Sequence, residues 1–182
     1  MIGKRLTGKR KNSINVCYLI DVAPEKFRGG GQAHLVALQR EMRIKNLKLK
    51  IKNYGGPDQN TIIRFLWSVW VVPRVIFYCC FKDRFDLIHA HSVPAIIAGK
   101  IAAVILKIPI VVTVHGYNEK RWIEKFVLTK IRYDKQITVA RNFLEYPNVN
   151  QAIYIPNGVD IERYGPQHYA SHSPRHGGAV ME

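Results

Sequence analysis

The stretch from Asp86 to Gly116, DLIHAHSVPAIIAGKIAAVILKIPIVVTVHG, decides how this chain folds. It opens with DLIHA (86–90), a short apolar run of strand length, and closes with IPIVVTV (108–114), a continuous β-branched run that reads as a fully buried strand. Between them, from about Pro94 to Leu106, lies a small-residue apolar segment long enough for a helix. Strand, helix and strand in about 30 residues make a βαβ unit, whose two strands run parallel because a crossover of this length returns the chain to the same end.

The same alternation continues outward. On the N-terminal side, INVCYLI (14–20) reads as a buried strand. After a Gly-rich loop, residues Gln32 to Arg43 place Leu35, Leu38 and Met42 at helical spacing. LKLKIK (47–52) alternates strictly, which predicts a strand with one wet face near a sheet edge. YGGPDQN predicts a loop, and Ile62 to Lys82 a helical stretch broken or bent at Pro73. On the C-terminal side, Glu119 to Arg132 predicts a charged, one-sided helix; QITVA, a short helix through Phe143 and AIYIP complete the pattern. The expected fold class is α/β: a Rossmann-like, doubly wound, mostly parallel sheet with helices on both faces. Ligands of such sheets bind outside the C-terminal ends of the strands, so residues just after each strand are the candidates for function.

With 182 residues, the chain suits one such domain, expected over 14–166, and is too short for two. The 28 Lys+Arg against 13 Asp+Glu give a formal charge of +15, which favours anionic partners. Part of that excess forms a basic N-terminal tail over 1–13, read either as a solvated end or as a tether to an anionic membrane. Residues 167–182 have no apolar period and are expected to be disordered. Cys17, Cys79 and Cys80 match neither a disulfide framework nor zinc spacing, which with no evident signal peptide suggests a reducing, cytoplasmic location. Ile62 to Phe81 is the most lipid-like segment, but Arg64, Pro73 and Arg74 argue against a spanning helix. Trp67, Trp70, Phe77 and Tyr78 leave two readings for it, a helix packed on the sheet or a peripheral contact with an anionic membrane.

Three strand ends carry chemistry. After the first strand, Gly29, Gly30 and Gly31 precede a helix, where free N–H groups and the helix dipole favour a phosphate; the plain alternative is a flexible turn. Neither GxGxxG nor GK[ST] occurs there. After the third strand, alternation puts His89 and His91 on one face, and Ser92 is placed to cap the next helix. Transition-metal sites need three or four well-placed ligands and two histidines do not make that set, so a substrate-lining role is favoured over metal. After the fourth strand, His115 ends an apolar run and Gly116 turns the chain; this imidazole either hydrogen-bonds a substrate hydroxyl or simply closes the strand.

Taken together and in order, GGGQAHLVALQREM, DLIHAHSVPAIIAGKIAA, IPIVVTVHGYN, ITVARNFLEY and IPNGVDIERYGP resemble the N-terminal domain of glycosyltransferase family 4 enzymes, one half of a GT-B fold. The resemblance implies retaining, metal-independent transfer of a sugar from a UDP- or GDP-type nucleotide sugar, without a cofactor. The acceptor it implies is a carbohydrate or a lipid-linked molecule. It implies that His115 is the active-site histidine and that Gly29 to Gly31 lie near the donor diphosphate and the acceptor. It further implies that His89, His91, Ser92 and Gly116 face the acceptor and that Asn157 to Asp160 lead to an interdomain linker. The family's second, donor-binding domain has no counterpart here, and Ala140 stands where a serine is common. The expectation is therefore an acceptor-side half with little activity alone. The alternative is a non-catalytic binding module for a phosphorylated or lipid-linked acceptor. Nucleic-acid binding through the positive charge finds no supporting motif.

Overall fold

The computed structural model describes residues 13–23, 30–44, 49–56, 60–116, 120–145 and 152–158. The basic tail, Gly29 and the segment 167–182 lie outside the described residues.

The strands are β1 (Ile14–Ile20), β2 (Leu49–Gly55), β3 (Leu87–Ala90), β4 (Ile110–Val114), β5 (Lys135–Thr138) and β6 (Ala152–Tyr154). The helices are α1 (Gly30–Ile44), α2 (Thr61–Phe81), α3 (Val93–Leu106) and α4 (Trp122–Lys130), with a 3₁₀ turn at Arg141–Glu145. The six strands form one sheet in the order β2-β1-β3-β4-β5-β6, and every pairing is parallel. The chain moves one way from β1 to β2, then crosses back to place β3 on the other side of β1. That reversal puts the topological switch point between β1 and β3, where open α/β sheets form their ligand crevice.

The strands' period of two sorts residues onto two faces. Cys17, Leu19, Ile88, Ala90, Ile110, Val112 and Val114 enter the larger core under α2, α3 and α4. Val16, Tyr18 and Ile20 face the other side, where Leu35 and Leu38 of α1 cover them. Small residues let α3 lie close to the sheet: a Cβ added to Gly99 would meet Leu19, Ile88 and Ile110 at 3.2–3.3 Å.

Several boundaries differ from the sequence reading. Helix α1 starts at Gly30, so Gly30 and Gly31 open the helix rather than precede it. Strand β2 takes Tyr54 and Gly55 from the expected loop, because both pair with β1. It does lie at the sheet edge. Strand β4 starts at Ile110, after Pro109, which has no N–H to offer a ladder. Helix α2 begins one residue early, at Thr61, with Asn60 Oδ1 accepting from the Ile62 and Ile63 N–H groups at 2.9 and 3.4 Å. It continues through Pro73 rather than breaking there. Pro73 and Val69 are both exposed, so water can reach the carbonyl that proline leaves without an N–H.

Helix α2 buries only a narrow stripe, Ser68, Val71, Val75 and Cys79. Ile62, Leu66, Val69, Trp70, Phe77 and Phe81 remain exposed, Trp70 by 72%. By length and composition alone α2 could cross a membrane, but its buried stripe belongs to the domain core.

Candidate active site

A cleft of about 640 Å³ opens at the C-terminal ends of β3 and β4, a size typical of small-molecule sites. His91, Ser92, His115 and Gly116 line it, with Arg64 from the first turns of α2 and Trp122 from the start of α4. Four of the expected site residues therefore converge in one place.

The cleft's histidines stand on the α1 face of the sheet. Tyr18 pairs in register with His89, and their rings lie 4.9 Å apart. One pleat on, the His89 and His91 rings are 4.2 Å apart, as strand alternation required. His89 Nε2 is hydrogen-bonded to Thr113 Oγ1 at 2.8 Å, and His91 Nδ1 to His115 Nε2 at 3.2 Å. His34, reaching down from α1, sets its ring edge-on to His115 at 5.2 Å. Four imidazoles from α1, β3 and β4 thus form one cluster.

Burial pushes all four toward the neutral form, because desolvation penalises imidazolium. His89 falls to about 3, by burial and then by the charges of His34 and His115. His115 falls to about 4, by burial and then by His34. Burial, followed by the other three histidines, holds His91 well below its ordinary value, and burial lowers His34. At pH 7 the cluster is uncharged and offers hydrogen bonds, not positive charge. Among the described residues, no group of three or more His, Cys, Asp and Glu side chains is arranged to hold a metal ion.

Ser92 departs from its expected task. It occupies the N-cap position of α3, but its side chain makes no cap bond; its Oγ accepts from the Asp21 N–H at 3.4 Å. The extended backbone at Ser92 directs the hydroxyl toward the end of β1. Asp21, also buried, pairs with Arg64 of α2, so the switch point carries an ion pair at the cleft wall. Arg121 is paired with Glu124 at 3.1 Å. Gly30 and Gly31 lie one helical turn before His34, which brings the start of α1 to the same cluster.

Sequence reasoning missed His34, Thr113 and the Asp21–Arg64 pair. A signal for His34 existed: it lies four residues before Leu38, on the flank of the apolar stripe of α1.

The chain matches Glycosyltransferase Family 4 over residues 18–163. It belongs to that family. A UDP-Gal:alpha-D-GlcNAc-diphosphoundecaprenol alpha-1,3-galactosyltransferase of Escherichia coli is 33% identical over 104 residues, covering 47% of this chain and 26% of the relative. Among solved structures, sucrose-phosphate synthase of Thermosynechococcus elongatus is similar with a TM-score of 0.65 at 14% identity, over 82% of this chain and 49% of that one. HepE of Anabaena in complex with UDP-glucose is similar with a TM-score of 0.54 at 15% identity, over 87% of this chain and 48% of that one. This family 4 chain thus has the fold of one half of these glycosyltransferases. It spans about half the length of the solved structures and about a quarter of the curated relative.

Proposed function

We propose that this chain is the acceptor-side half of a glycosyltransferase that moves a sugar from a UDP- or GDP-type nucleotide sugar to a carbohydrate or lipid-linked acceptor. The observation that carries the reading is the position of His115. It follows β4 at the strand-end cleft, inside the family match, in a cluster of neutral imidazoles. Retention of configuration and independence of metal and cofactor are further parts of the proposal, and they rest on the family resemblance. Gly30 and Gly31 support a phosphate contact, because the first N–H groups of a helix have no intrahelical partners.

The E. coli relative, by its name, acts on a diphosphoundecaprenol-linked GlcNAc, which favours a lipid-linked acceptor here. The exposed apolar residues of α2 favour peripheral contact with an anionic membrane from the cytoplasmic side. No acidic residue occurs between Thr61 and Lys82, and Arg74 stands exposed among the apolar side chains.

Calorimetric titration of this chain with UDP, GDP and a lipid-diphosphate-linked sugar in detergent tests the reading. The expected result is acceptor binding and weak nucleotide binding, with acceptor affinity reduced by His115→Ala. Tight nucleotide binding without acceptor binding would overturn the acceptor-side assignment. The proposal includes little activity by this chain alone, and sugar transfer by it would overturn that part.

A further inference from the structure

His91 and His115 are joined ring to ring, with His91 Nδ1 3.2 Å from His115 Nε2. Their outer nitrogens, His91 Nε2 and His115 Nδ1, are buried without a hydrogen-bond partner among the described residues. Buried polar atoms are nearly always paired, so two orphans on one linked pair require an explanation.

Proton counting limits what the two atoms can be. A neutral imidazole carries one proton on two nitrogens, so the pair has two protons for four nitrogens. If His91 Nδ1 donates the shared bond, His91 Nε2 is a bare acceptor and His115 carries its own proton at Nδ1. If His115 Nε2 donates, His115 Nδ1 is bare and His91 carries its proton at Nε2. The two outer nitrogens therefore always have opposite character, and neither ring can change tautomer without the other.

We propose that His91 is a positioning residue that fixes the ring orientation of His115 and ties its tautomer to that of His91, so that the two imidazoles act as one hydrogen-bonding unit. The inference rests on the reading of His115 as the active-site histidine and deepens it. Around the pair stand Tyr18 of β1, His34 of α1 and His89 of β3, whose rings approach one or the other imidazole. Of these, His89 is occupied by Thr113. Tyr18 stacks on His91 at 5.5 Å and its hydroxyl points to Met42 Sδ, so neither replaces the bond to His115.

The test is nitrogen NMR on the chain labelled with ¹⁵N in its histidines, without donor or acceptor. In the unaltered chain we expect a ¹⁵N–¹⁵N coupling across the His91–His115 hydrogen bond and the same tautomer at His91 and His115. His91→Phe keeps a ring but no nitrogen, and it is expected to turn the His115 resonances into a tautomer average. His91→Asn, which restores a polar atom near the Nδ1 position, is expected to restore a hydrogen bond to His115 and move its resonances back toward those of the unaltered chain. Absence of the coupling, or unchanged His115 resonances in a folded His91→Phe variant, would overturn the proposal. Should His91→Phe fail to fold, the coupling in the unaltered chain decides. These readouts need no substrate, so their failure is distinct from a failure to bind acceptor.

Discussion

Acidification from pH 7 to pH 5 is expected to weaken this domain through its buried histidines, and His89 sets the scale. In the unfolded chain its imidazole has an ordinary value near 6.5, whereas burial in the fold lowers it to about 3. Because the folded value is the lower one, the unfolded state binds the proton first. Stability is therefore intact above about pH 6.5 and is lost as the pH falls toward 3. At pH 5 the unfolded ring is one and a half units below its own value while the folded ring is still neutral. At 1.36 kcal/mol per unit this costs about 2 kcal/mol, a sizeable share of the 5–15 kcal/mol that holds a typical domain together. His34, His91 and His115 are lowered in the same direction and add to the loss. Carboxylates contribute little in this window, since most remain ionised at both pH values. Urea unfolding followed by tryptophan fluorescence reads the effect. With a slope of roughly 2 kcal/mol per molar, His89 alone lowers the midpoint by about 1 M. His89→Gln, which keeps a hydrogen-bonding group toward Thr113 without a titrating ring, is expected to reduce the pH dependence by about that amount. A midpoint at pH 5 equal to or above that at pH 7 would refute the claim that the cluster is buried and neutral.

Three further outcomes follow from local geometry. A Cβ at Gly56 would fall on the carbonyl oxygen of Asp21, so Gly56→Ala is expected to cost roughly 1–3 kcal/mol and to lower the thermal midpoint by several degrees in calorimetry. Lys107 closes α3 in the left-handed region at φ 55°, where glycine is unstrained; Lys107→Gly is expected to raise stability by about 1 kcal/mol in urea titrations. Trp70→Glu places a negative charge at the exposed face of α2, and sedimentation with anionic liposomes at low salt is expected to fall; unchanged sedimentation would remove α2 from the membrane contact.

Much of the architecture was legible because its signals are local. The apolar runs INVCYLI and that before His115, and the alternation through LKLKIK, mark strands through neighbours one and two residues apart. Boundaries were less legible where pairing with another segment decides them. Tyr54 and Gly55 look like loop residues until β1 lies beside them, and the first helical turn at Gly30 has no apolar side chain to announce it. Helix α2 is a related case. Its composition marks a long apolar helix, but only packing shows that four side chains are buried and most of its apolar surface faces outward.

By itself the sequence determined the alternating α/β order, the family resemblance and the strand-end positions of His89, His91 and His115. These depend on spacing along the chain, and alternation alone puts His89 and His91 on one face. Only the tertiary structure decided that His34 joins them from α1, that His91 bonds to His115, and that Ser92 turns to β1 instead of capping α3. The physical reason is the crossover from β3 through α3 to β4, together with the reversal at the switch point. They bring side chains separated by 24 residues or more into one cluster, and burial there removes the water that would otherwise keep the imidazoles near their ordinary protonation range.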